Sequence, residues 1–130
     1  MMDESLVIGR GYEDGRKLEA AEIEDLCVRG FDSMTLDGKS LLVIIPDGTR
    51  SVPLDVMFPI FYKHLSGRVK DLHFLIALGT HPPMSEEKIA ERVGLTPYEL
   101  KHEYSAAKIF NHRWDLPDTM VEIGKIPAEE

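Results

Sequence analysis

Two short loops carry the residue types that chemistry needs. Asp47, Thr49 and Arg50 stand in Pro46-Asp47-Gly48-Thr49-Arg50, and His81 stands in Gly79-Thr80-His81-Pro82-Pro83. Arg50 offers a rigid fork of N–H donors suited to a carboxylate or phosphate, and Asp47 and Thr49 are placed to orient it or to meet a ligand hydroxyl. The backbone of His81 is stiffened by the prolines that follow, and its imidazole can act as acid or base near neutral pH. Read together, the loops offer an anion clamp beside a proton carrier. A plainer reading stays open at each: a solvated turn whose Asp caps a helix, and a surface histidine in a turn. His112, in Asn111-His112-Arg113-Trp114, is a further candidate, with a structural, hydrogen-bonded role near Trp114 as its alternative.

Other chemistries are disfavoured by spacing. His64 and His102 fall on expected helices and His73 early in an expected strand; none has metal-ligand spacing, and Cys27 is the lone cysteine, so no metal site is expected in this chain. An aspartate-nucleophile phosphatase of the haloacid dehalogenase type needs a second Asp two residues before Asp47. Ile45 stands there, which leaves phosphoryl transfer without an attacking group.

These loops need elements to hold them. Leu41 to Ile45 is an unbroken aliphatic run, read as a strand covered on both faces, and Pro46 and Gly48 end it. Pro53 to Ser66 carries Leu54, Met57, Phe58, Phe61 and Leu65 at helical spacing, with Pro59 expected to kink it. Leu72 to Leu78 is a second apolar strand, which completes a strand-helix-strand unit and brings the Arg50 and His81 loops to one sheet edge. Ser85-Glu86-Glu87 opens a helix, and Thr96-Pro97-Tyr98-Glu99 is a capping box that opens another. Ala107 to Phe110 reads as a third strand, Met120 to Ile123 as a fourth, and Ser5 to Ile8 as a short edge strand. A packing helix is expected from Glu19 to Arg29, ended by Gly30. The class these elements predict is α/β: an open, mainly parallel, Rossmann-like sheet with helices on both faces. A single domain is expected over residues 1–130, with 1–38 a poorly defined lead-in.

The 130 residues are 43% hydrophobic, enough for one core without staples. A formal charge of -8 disfavours nucleic acid and anionic membranes as partners. One cysteine and no leader or membrane-length apolar run point to a reducing, cytoplasmic setting. Ile126-Pro127-Ala128-Glu129-Glu130 resembles the first turn of a helix with no body, so a longer protein is expected to continue here.

Asp47-Gly48-Thr49-Arg50-Ser51-Val52-Pro53, then Leu75-Ile76-Ala77-Leu78-Gly79-Thr80-His81-Pro82-Pro83-Met84-Ser85-Glu86-Glu87, then Asn111-His112 resemble, in order and spacing, the N-terminal part of the nickel-dependent lactate racemase family over about residues 40 to 130. The resemblance implies a racemase or epimerase of 2-hydroxy acids, in which a nickel-pincer nucleotide takes and returns a hydride and two histidines move the hydroxyl proton. By that likeness Arg50 would hold the substrate carboxylate, Asp47 and Thr49 would shape its pocket, and His81 would be one proton-transfer histidine. The cofactor lysine, nickel ligand and second histidine would lie in the remaining C-terminal part of the enzyme. The chain alone would then be inactive and bind no cofactor. The alternatives are a non-catalytic module binding a small hydroxy acid or sugar acid, and a protein-interaction domain.

Overall fold

The computed structural model describes residues 7–128. Its elements follow in the order α1 (Ala20–Asp32), β1 (Ser40–Pro46), α2 (Leu54–Leu65), β2 (Asp71–Ala77), α3 (Glu86–Arg92), α4 (Pro97–His102) and β3 (Ala107–Asn111). The strands form one parallel sheet in the order β1-β2-β3, with Ile45 opposite Ile76 and Ile76 opposite Asn111. This is the open parallel α/β class that the sequence predicts.

Alternation sorts the strand side chains. Leu72, Phe74 and Ile76 point to one face and are at most 2% exposed; Ile45 joins them, and Phe58 and Leu65 of α2 and Ile89 of α3 close the core over that face. Phe58 stacks at a tilt on Phe74 with centroids 4.9 Å apart, and Phe31 of α1 meets Phe61 of α2 edge-on at 4.9 Å. The opposite face differs from expectation: Leu42 is 54% exposed and Ile44 66%, with Phe110 exposed beside them. Cover on both faces is therefore met on one face only among the described residues. A continuous apolar strand reads the same whether its second face is covered or bare.

Local signals explain most boundaries. The Ser85 hydroxyl accepts the Lys88 N–H at the start of α3, and at α4 Thr96 and Glu99 form the reciprocal capping box. Helix α2 runs on through Pro59, whose missing N–H leaves the Asp55 carbonyl without its usual amide. Helix α1 also runs past Gly30, which is not in the left-handed conformation of a C-cap; the helix ends where the Ser33 hydroxyl bonds the Gly30 carbonyl at 2.7 Å. The strand expected at Met120 to Ile123 does not form. Those residues lie exposed and pair with no strand among the described residues, after a turn in which Asp118 has φ +64°. Of the expected edge strand, Ser5 and Leu6 lie outside the described residues, and Val7 and Ile8 have no regular structure.

Candidate functional site

At the carboxyl edge of the sheet the β1–α2 and β2–α3 loops face each other across a cleft of about 340 Å³. Its lining includes Pro46, Asp47, Thr49, Arg50, Gly79 and His81. Four residues singled out by type alone thus meet in one place, at the edge where open α/β sheets bind ligands.

Asp47 is the centre of the arrangement. Only 6% exposed, it accepts on Oδ1 both the Thr49 hydroxyl at 2.5 Å and the Thr49 N–H at 3.1 Å, while Oδ2 meets Nδ1 of His81 at 2.6 Å. Chiefly the Thr49 hydroxyl, and next the His81 ring, hold its carboxyl well below the usual range, at about 2. The carboxylate is therefore ionised at neutral pH and can only accept. The ring nitrogen facing it must carry the proton, which leaves Nε2 of the neutral ring as the basic atom. Nε2 has no hydrogen-bond partner among the described residues, and the His81 side chain is 54% exposed. Asp47 lines the cleft, and both its oxygens are engaged, by Thr49 and by His81.

Arg50, on the same loop as Asp47, is exposed and also lines the cleft. Among the described residues its guanidinium enters no ion pair. Its backbone is fixed instead: Arg92, from the last turn of α3, donates to the Arg50 carbonyl at 2.8 Å and to the Val52 carbonyl at 3.5 Å. The arrangement is a cation without an ion pair among the described residues, on a held backbone, lining the same cleft as an oriented base.

The His81 loop leaves β2 through Gly79 at φ +60°, a conformation that suits glycine. His81 N–H closes a turn on the Leu78 carbonyl at 2.9 Å. The end of β3 and the residues after it hold the far side: the Asn111 amide exchanges two 2.9 Å hydrogen bonds with the Met84 N–H and carbonyl, and the Trp114 indole N–H donates to the His81 carbonyl at 2.9 Å.

Residues 16–130 match the family model for the lactate racemase N-terminal domain. The chain belongs to that family. A crystal structure of a Thermotoga maritima protein shares the fold, with a TM-score of 0.71 and 23% identity over 86% of this chain. The chain spans 26% of that protein's length. A comparison with curated proteins found no match.

The lactate racemase N-terminal domain match begins well before residue 40, and α1 shows why the early residues belong. It packs on α2 through Phe31 and through Glu24, which accepts from Lys63 at 2.9 Å and contacts His64 at 2.8 Å. His112 is not brought into the cleft. Its N–H extends the β2–β3 pairing to the Ile76 carbonyl and its Nε2 lies 3.3 Å from the Thr119 carbonyl. Residue types alone did not reveal the supporting role of Arg92, because a basic residue in the last turn of a helix reads as dipole compensation.

Proposed function

We propose that this domain binds the carboxylate of a 2-hydroxy acid through Arg50 and exchanges its hydroxyl proton through His81, as the N-terminal part of a longer cytoplasmic racemase or epimerase. The supporting observation is the 2.6 Å contact of Asp47 with His81 in the cleft that Arg50 also lines. A bidentate grip on the carboxylate would fix the substrate's orientation. Nε2 of His81 would take the hydroxyl proton, and Asp47 would stabilise the imidazolium formed and hold the ring for the proton's return. Family membership favours lactate or a close relative as the substrate.

Racemisation also needs a hydride acceptor, the chemistry expected of the family's nickel-pincer cofactor. The donors here do not fit its attachment: the cleft holds no lysine, its one imidazole is bonded to Asp47, and among the described residues no three of His, Cys, Asp and Glu are grouped as metal ligands. The group would have to be held by other parts of the enzyme, and this chain alone is expected to be inactive.

The test is His81→Ala in the full-length enzyme. Overall turnover should fall roughly 10²–10⁴-fold, as for loss of a general acid-base group, with little change in folding. Half-reactions followed from each enantiomer should be unequal, because one hydroxyl faces His81 and the other faces a base outside this chain. Equal retention of both half-reactions in a folded variant would leave His81 as a turn residue.

A further inference from the structure

The end of β3 and the residues after it hydrogen-bond the His81 loop through its backbone, at His81 and at Met84. Parallel pairing of Asn111 with Ile76 sets the end of β3 beside the point where the loop leaves β2. From there the Asn111 amide satisfies both main-chain groups of Met84, much as a paired strand would. Three residues on, Trp114 donates to the carbonyl of His81 itself. Trp114 is placed in turn by its own N–H on the His112 carbonyl at 3.0 Å and by the neighbouring two-bond pairing of Arg113 with Asp115.

The His81 ring has one polar contact among the described residues, Asp47, so its direction depends on where the backbone sets its Cα. We propose that Asn111 and Trp114 are positioning residues, a strap that holds the His81 loop so that Nδ1 stays on Asp47 and Nε2 stays open to the cleft. The proposal rests on the reading of His81 as the base and adds what keeps it in one tautomer. The strap reaches from the end of β3 and the segment after it to the β2–α3 loop, so the geometry of the proton carrier depends on a strand that contributes no group to the cleft.

The tautomer itself is the readout. In ¹⁵N-labelled protein at a pH where the ring is neutral, nitrogen–proton correlation spectra should show His81 protonated at Nδ1, with Nε2 carrying the lone pair. Trp114→Phe removes the indole donor and keeps a ring; Asn111→Asp keeps an acceptor for the Met84 N–H and loses the donor. In each, the share of the Nδ1–H form should fall by about twofold or more while the dispersed amide spectrum of a folded chain persists. Asp47→Asn, which breaks the contact directly, sets the scale of a full loss. An unchanged tautomer in both folded strap variants would overturn the proposal, and so would a wild-type ring protonated at Nε2. If the strap variants scramble the tautomer while His81→Ala keeps both half-reactions, the strap stands and the catalytic reading fails.

Discussion

The two loops that meet at the cleft are held by different mixes of near and distant bonds, with Arg92 of α3 the distant brace on the first. The β1–α2 loop is tied largely by neighbours in sequence: Asp47 bonds Thr49 two residues on, and the Arg50 N–H bonds the Asp47 carbonyl. The β2–α3 loop is tied from afar, by Asn111 and Trp114 and, across the cleft, by Asp47. A locally tied loop keeps its shape when a distant element moves, and a remotely tied loop follows that element. The clamp residue thus sits on the loop with more local ties, braced by Arg92, and the base on the loop with more distant ones.

The sharpest way to test that division is at Arg50, whose side chain enters no ion pair among the described residues. Arg50→Lys in the full-length enzyme should leave stability alone yet lower kcat/KM tenfold to a hundredfold. A two-bond grip becomes a point contact, and a charge-assisted hydrogen bond is worth roughly 1.5–3 kcal/mol. Unchanged kinetics would remove Arg50 from the substrate site. The glycines probe the backbones with a smaller effect. At both Gly48 and Gly79 a Cβ would meet no atom within 4 Å, so space is equal and only conformation differs. Gly79, at φ +60°, should lose about 1–2 kcal/mol on replacement by Ala, whereas Gly48→Ala should shift stability by no more than about 1 kcal/mol. Urea unfolding of the two variants checks this, and equal costs would deny that the second loop alone relies on a left-handed turn.

The same contrast explains what could be read from residues in order. The strands around Val43 and Phe74, the Ser85 cap and the Thr96–Glu99 box are local patterns, and they formed where the patterns lie. Asp47, Thr49, Arg50 and His81 met because two parallel strands side by side must bring their loops to one edge. The supports were not legible: Asn111 to Met84 spans 27 positions, Trp114 to His81 33, and Arg92 to Arg50 42. No pattern of residue types fixes such pairings. Gly30 and Met120 to Ile123 misled for a related reason, since a glycine ends a helix only if its φ turns positive and an apolar run becomes a strand only beside a free partner.

The smallest effect, and the one that joins the two loops, is in acid. Asp47 titrates near 2 in the folded chain, below the ordinary 3.8, so over that range the unfolded chain binds more protons than the folded one. The stabilisation from its ionised form is then fully present above the ordinary value and drains away as pH falls through about 4 towards 2. Glu24, Asp71 and Asp115 are also held below their usual values, so the wild-type slope alone does not isolate Asp47. The difference between wild type and Asp47→Asn does: urea unfolding between pH 2 and pH 5 should give a shallower fall for the variant, which has no proton to take up at that site. Thr49→Val, which removes the strongest cause of the shift, should lie between them. If wild type and Asp47→Asn lost stability in parallel across that window, the Asp47 carboxyl would titrate alike in the folded and unfolded chain, and the link it makes between the loops would carry no weight in the folded state.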